Sequence, residues 1–297
     1  MIDISIVIVN YNTLDITEKC LCSIERQTEG VSYEIILVDN DSIDGSKDYF
    51  SKRSGIVFVW NSENIGFGRA NNLGFQKSKG RYVLLLNSDT ILLNNALKLF
   101  VDAADKEPDI KVGCWGAMLV DTNNEITHSY GKFPTPGFDI FKETILIPYS
   151  KLTNGHFNLQ QGTKFPQGYV DYIIGADLLI RRDVIEKYGL FNPLFFMYYE
   201  DAELLWRYRQ SGIMARIIEG PVIMHLEGGS AKRPKRKTLA RSIMQLKSKL
   251  TYFSLTEPRW RFLMYKFLLL IIRIPFFVFS RYTVKEKIQY LKAIINE

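Results

Sequence analysis

A chain of 297 residues with 46% hydrophobic and 24% charged residues has room for one large α/β domain with an appendage, and its composition excludes wholesale disorder. The formal net charge of +6 hides a division: residues 232–297 carry 16 Lys and Arg against 3 acids, whereas residues 1–231 carry 22 against 29. That asymmetry points the tail toward an anionic surface, either membrane or nucleic acid.

The opening MIDISIVIVNYN has no basic leader and reads as a first strand. No stretch reaches the roughly 20 apolar residues needed to span a bilayer, and the nearest, 267–279, is broken by Arg273 and Pro275. Cys20, Cys22 and Cys114 show no disulfide or metal spacing and are expected as buried thiols in a reducing, cytoplasmic compartment.

Residues 4–9 are a continuous β-branched apolar run, as in a strand buried on both faces. A helix follows over 17–27, a second strand over 34–38, a short helix over 46–51 and a third strand over 56–59. Helix 68–78, strand 82–86 and helix 94–106 complete the first half, the last halted before Pro108. Strands alternating with helices predict an α/β fold with a mostly parallel, Rossmann-like sheet and helices on both faces. Ligands of such sheets bind beyond the carboxyl ends of the strands.

The residues at those ends are polar. They are Asn10-Tyr11-Asn12 after the first strand, Asp39 after the second, Asn61 to Asn64 after the third and Asp89 after the fourth. A tyrosine can stack on a base, and a carboxylate can accept a base N–H. Each residue alone reads as turn chemistry; the set at successive strand ends reads as a ligand site. Asn64 to Asn72, with Gly66, Gly68 and Arg69, resembles a phosphate loop opening a helix, although it lacks the third glycine of a dinucleotide fingerprint. Asp89 fits either a hard-cation ligand or a helix N-cap.

In the second half, Gly175-Ala176-Asp177 precedes an apolar strand at 178–182. The aromatic run 195–199, ending in Tyr199, leads into Glu200-Asp201-Ala202-Glu203 and a helix to 210. An aromatic wall before paired carboxylates suits a sugar face and a general base; acids at a helix N-terminus are also favoured by the dipole alone. His225 ends a strand at 221–224 and precedes Gly228-Gly229-Ser230, where it is either structural or a ligand.

Taken in order, these pieces resemble family 2 glycosyltransferases with the GT-A fold, most closely their rhamnosyltransferase-like branch. The matching stretches are 6–12, Val38-Asp39-Asn40-Asp41-Ser42, Asn64-Ile65-Gly66-Phe67-Gly68, Leu86-Asn87-Ser88-Asp89, Gly175-Ala176-Asp177, 196–201 and Trp206-Arg207. The resemblance implies a nucleotide-sugar site at Tyr11, Asn12, Asp39, Asn64, Gly66, Arg69 and Asn87. It implies acceptor or sugar contacts at Gly175, Asp177, Tyr199 and Glu200. It further implies Mg²⁺ or Mn²⁺ at Asp89 with His225 as second ligand, and Asp201 as the base of an inverting single displacement. The family's Asp-x-Asp motif reads Asn87-Ser88-Asp89 here, so its first carboxylate is missing, and Leu226-Glu227-Gly228-Gly229 stands where relatives are richer in glycine or histidine. The expected reaction adds one sugar to a polysaccharide or lipid-linked acceptor. Two rivals are a sugar-nucleotide nucleotidyltransferase, which needs a glycine- and basic-rich loop where this chain has Asn10 to Thr13, and a non-catalytic nucleic-acid-binding protein.

The expected division places a catalytic domain at 1–230 and a basic, helical C-terminal region at 231–297. The tail combines the run Lys232 to Lys237, a helical stretch at 239–253, and 260–279 with Trp260, Phe262, Phe267, Phe276, Phe277 and Phe279. Positive charge joined to apolar bulk reads as a segment lying on an anionic membrane, at the inner face of the cell membrane, and not as a nucleic-acid arm. The alternative is a C-terminal helical pair packed on the catalytic domain, with a basic face that is merely solvated.

Overall fold

The computed structural model describes residues 1–146, 164–226, 239–279 and 283–297, with side chains throughout these except at 145–146 and 275–279. The Gly228-Gly229-Ser230 loop, the Lys232 to Lys237 run and the side chains of Phe276, Phe277 and Phe279 lie outside the described residues.

The first half follows the expected alternation. Strands β1 (Ile4–Asn10), β2 (Tyr33–Asn40), β3 (Val57–Asn61) and β4 (Tyr82–Asn87) are separated by α1 (Leu14–Gln27), α2 (Ser46–Phe50) and α3 (Phe67–Lys77). They pair in parallel in the order β3-β2-β1-β4. Next come β5 (Thr90–Leu92), α4 (Ala96–Asp105), β6 (Val112–Gly116), β7 (Leu119–Val120) and β8 (Tyr130–Gly131). After α5 (Pro136–Phe141) and a π-turn (Lys142–Leu146) come β9 (Tyr169–Val170), β10 (Tyr172–Ile173), β11 (Asp177–Arg181) and α6 (Arg182–Tyr188). Then α7 (Glu200–Gln210), β12 (Met214–Ile217), β13 (Ile223–His225), α8 (Leu239–Thr256), α9 (Arg259–Phe279) and α10 (Val284–Asn296) close the chain.

The main sheet runs β3-β2-β1-β4-β11-β6-β12-β9, with β11 antiparallel to both β4 and β6. Two small sheets, β10-β8 and β5-β13-β7, accompany it. Alternation along the strands sends side chains to opposite faces. Ile4, Ile6, Ile8, Ile35 and Leu37 join Cys20, Leu21 and Ile24 of α1 and Leu97 and Phe100 of α4 in one buried cluster. Ile36 and Val38 meet Ala70 of α3 in another. Helices therefore cover both faces. Gly74 lets α3 approach this closely, because a Cβ there would overlap the Val7 side chain and come within 3.2 Å of Val38. Cys20 and Cys114 are buried thiols as expected, whereas Cys22 is exposed; burial pushes the Cys20 thiol up to about 12.

The chain forms two compact units. The first takes Met1–Lys132, Gln161–Phe196 and Glu200–Arg233; the second takes Phe133–Gln160, Met197–Tyr199 and Pro234–Glu297. In the second unit Lys249, itself buried, reaches both oxygens of Asp139 at 2.9 and 3.0 Å, and the Tyr265 hydroxyl donates to Asp139 at 2.5 Å. A charge removed from water requires such partners. Phe253 meets Tyr265 edge-on at 4.8 Å, and Ser248 Oγ donates to the Met197 carbonyl. A capping box at Thr283 and Glu286 starts α10.

Candidate active site

The expected base-reading residues bind one another first. Asp39 is fully buried, accepting from Asn10 Nδ2 at 2.6 Å and from the Ser42 amide at 3.0 Å. Asn12, with φ of +55°, donates its amide to Ser42 Oγ at 2.9 Å and accepts from the Ile43 amide at 2.8 Å. Asparagine tolerates this left-handed conformation better than most residues. Together these bonds tie the loops after β1 and β2 into one platform, on which Tyr11 remains exposed. Sequence reasoning passed over Thr13 and Thr17, whose hydroxyls both donate to Asn10 Oδ1, at 2.7 and 2.8 Å. Their spacing of three and seven residues from Asn10 was the available signal. Thr13 also lies 3.4 Å from Ser88, linking the platform to the end of β4.

The segment at the start of α3 also braces the protein itself. The Ile65 amide donates to Asn40 Oδ1, the Gly66 amide to Asn64 Oδ1 and the Phe67 amide to the Phe196 carbonyl. Those three donors are engaged within the protein. Gly66 has φ of +88°, and a Cβ there would overlap the Phe196 carbonyl oxygen. Arg69 Nε donates to the Pro193 carbonyl at 2.8 Å, and Asn72 exchanges two bonds with the Phe191 backbone. Gly66, Arg69 and Asn72 thus hold the 191–196 loop against α3, while Asn64 braces Gly66 and Asn40.

At the end of β4, pairing between short strands decides the geometry. Antiparallel pairing of β5 with β13 sets Thr90 opposite His225, and the Leu226 amide donates to the Asp89 carbonyl. His225 Nε2 consequently lies 3.2 Å from Asp89 Oδ1 and 3.5 Å from Asn87 Nδ2. Asp89 is not an N-cap, since β5 follows it directly and Asn95 precedes α4. Across the sheet the Asn87 amide donates to the Ala176 carbonyl at 3.0 Å. One residue earlier, the Gly175 amide donates to Asp201 Oδ2 at 3.2 Å. A continuous chain of contacts therefore runs from His225 and Asp89 through Asn87, Ala176 and Gly175 to Asp201.

Asp201 opens α7, where its other oxygen accepts from the Ala202 amide at 2.8 Å. Burial raises its pKa against the opposing effect of these amides. Burial, then the neighbouring Asp201 charge, raises Glu200 as well. Glu200 Oε2 has no hydrogen-bond partner among the described residues. Tyr198 and Tyr199 precede them with φ of +74° and +66°, and Tyr199 packs on Tyr252 within the second unit. Asp177, expected at an acceptor contact, is fully buried in β11 and accepts from the Ala117 amide at 2.7 Å. It offers no surface to a ligand, and burial holds its pKa well above the usual carboxylate range.

A family model matches most of this chain, across the parallel strands β1 to β4 and the antiparallel β11 beside them. The description "Glycosyl transferase family 2" fits residues 5–189. The chain belongs to glycosyl transferase family 2. Among curated relatives of this family 2 member, the low-salt glycan biosynthesis hexosyltransferase Agl10 of Haloferax volcanii is 26% identical over 71% of this chain and 63% of its own length. The N-acetylglucosaminyl-diphospho-decaprenol L-rhamnosyltransferase of Mycobacterium tuberculosis is 24% identical over 79% of this chain and 80% of its own length. The chain thus spans less than two thirds of the length of the Haloferax relative. Among solved structures, the mannosyltransferase PcManGT of Pyrobaculum calidifontis, in complex with GDP-Man and Mn²⁺, superposes with a TM-score of 0.55 at 15% identity, covering 98% of this chain and 73% of that one. That likeness is one of fold, and the fold is the GT-A fold.

The residues present can be tested against a divalent cation of the kind that neighbour holds. Two ligands at right angles about a cation, each about 2.1 Å away, lie roughly 3 Å apart. Asp89 Oδ1 and His225 Nε2, at 3.2 Å, meet that spacing. Among the described residues no cluster of three or more His, Cys, Asp and Glu exists. The remaining ligands of a cation here would be diphosphate oxygens and water, the usual way such ions meet a nucleotide. The donor set fits.

Proposed function

We propose that this family 2 glycosyltransferase moves one sugar, of the hexose or rhamnose type, from a nucleotide-diphosphate donor to a glycan or lipid-linked acceptor, with inversion. The observation that carries the reading is the contact chain joining Asp201 to the Asp89–His225 pair across the end of β4. Asp201 takes the proton from an acceptor hydroxyl as that oxygen attacks the anomeric carbon. The bond from that carbon to the diphosphate oxygen breaks on the opposite face, and its electron pair leaves with the diphosphate, so a single displacement inverts the centre. A divalent cation held by Asp89 and His225 would neutralise charge on the leaving diphosphate. The Gly175 and Ala202 amides fix the Asp201 carboxylate, and partial removal from water brings its pKa nearer the working range of a base. Tyr11, exposed beside the Asn12–Asp39 platform, would stack on the base. The rhamnosyltransferase relative supports a lipid-linked acceptor, since its name specifies a diphospho-decaprenol substrate.

A thermal-shift screen of nucleoside diphosphates with and without Mn²⁺, followed by donor hydrolysis on the preferred base, tests the proposal. Stabilisation by one diphosphate, strengthened by Mn²⁺, is expected, with nucleic acid having no effect. Absence of any nucleotide response, or donor hydrolysis equal to buffer, would overturn it.

A further inference from the structure

The second unit carries an uncovered apolar stripe. On α9, Phe262, Tyr265 and Leu269 are buried, while Trp260, Leu263, Met264, Phe267, Leu268, Ile271 and Ile274 are each between 37 and 66% exposed. The exposed seven recur at spacings of three and four residues. At about 100° per residue they cover an arc of about 140°, opposite the buried three. Soluble proteins scatter single exposed apolar residues, whereas a contiguous stripe with a tryptophan and a phenylalanine marks an interaction surface. Basic residues border it: by the same helical geometry Arg261 falls at one edge, and Arg259 and Lys266 at the other. Long cationic side chains at the edges of an apolar face can reach phosphate headgroups while their stems stay with the acyl region. The neighbouring α10 exposes Val284, Ile288 and Ile295. No described helix is long and apolar enough to cross a bilayer.

We propose that this face of α9 is a membrane-docking surface, lying in the headgroup region of an anionic bilayer with Trp260, Leu263, Phe267 and Ile271 inserted. The charge decides between a bilayer and a second copy of the chain. Residues 232–297 carry 16 basic residues against 3 acidic ones. A dimer through α9 would bring two such segments together against mutual repulsion, whereas anionic lipid complements them, each basic residue near its surface contributing about 1 kcal/mol. Apolar insertion and charge act together in such helices. The inference goes beyond the proposed sugar transfer and does not depend on it, since docking is read on vesicles without donor or acceptor.

The test uses the full chain and liposomes of phosphatidylcholine with and without about one third phosphatidylglycerol, followed by flotation. The intact chain is expected to float with the anionic vesicles, and salt to release only part of it. The double substitution F267E/I271E, at two exposed positions, should lower partitioning by about tenfold or more, with melting temperature and donor hydrolysis in solution unchanged. Partitioning of the double variant equal to that of the intact chain, or no flotation of the intact chain, overturns the proposal. So does a dimer, measured by light scattering without lipid, that F267E/I271E dissociates.

Discussion

Replacing Asp201 by Asn separates the chemistry of the site from its architecture. The carboxylate accepts the Ala202 amide at 2.8 Å and the Gly175 amide at 3.2 Å. An asparagine oxygen keeps the shorter of these bonds, and its NH₂ then faces the Gly175 N–H. Losing one backbone bond of this kind costs about 1 kcal/mol of stability, a drop of a few degrees in melting temperature at most. Turnover should fall much further, by a factor of about 10² to 10⁴, because an amide cannot take the acceptor proton. That range corresponds to about 3–5.5 kcal/mol in activation free energy. Nucleotide affinity should hold, because Asp201 has no part in the Asn12–Asp39 platform. The assay is single-turnover transfer, or donor hydrolysis with chemistry limiting, beside a melt and a nucleotide titration on the same preparation. Turnover within tenfold of the parent, or a turnover loss matched by unfolding, would refute the assignment of Asp201 as base.

Asp89→Ala and His225→Ala should each remove most of the Mn²⁺-dependent gain in nucleotide affinity, by about tenfold or more in calorimetry; an undiminished gain in both variants would separate the pair from the metal. Gly66→Ala should cost about 2–4 kcal/mol in urea denaturation, combining a disfavoured φ with a Cβ placed 2.9 Å from the Phe196 Cα. A loss under about 1 kcal/mol would mean that the 191–196 loop yields easily. Asp177→Asn should change the pH dependence of stability. Burial raises the folded-state pKa of Asp177, so the native state keeps a proton that the unfolded chain releases above about pH 4, and stability falls as pH rises from there toward the folded pKa. The variant lacks that decline, by up to about 1.4 kcal/mol per pH unit, and parallel denaturation profiles between pH 5 and 8 would contradict it.

What the sequence made legible follows from how local each signal is. β1, β2 and β4 are continuous apolar runs, and their burial along nearly the whole length reproduces the pattern from which they were expected. The helices at 14–27, 67–77 and 96–105 likewise declared themselves by periodicity, within a few residues at the ends. β5 and β13 have three residues each, too short for any periodicity, yet their pairing brings His225 to Asp89. The Gly66–Phe196 contact has the same character. Gly66 reads as a ligand loop in sequence, while the Phe196 carbonyl that packs against it is supplied from far along the chain. Asp177, strand-initial and near a site, looks exposed in sequence, yet it is buried and accepts from the amide of Ala117, which belongs to another segment.

The insertion of β11 next to β4 bears on how the chain can be synthesised and cut. β4 receives one neighbour, β1, early, but its other neighbour begins about 90 residues beyond its own end. Until residues 177–181 emerge and pair, the run Tyr82 to Leu86 is an apolar strand with a row of unmatched backbone groups on one side. Such an edge is a template for mispairing with other chains. A fragment ending at Lys132 would contain Tyr11, Asp39 and Asp89, and so look like a self-sufficient nucleotide-binding half. With β4 open it should aggregate on release from the ribosome, while a fragment extended through Arg233 should stay in solution.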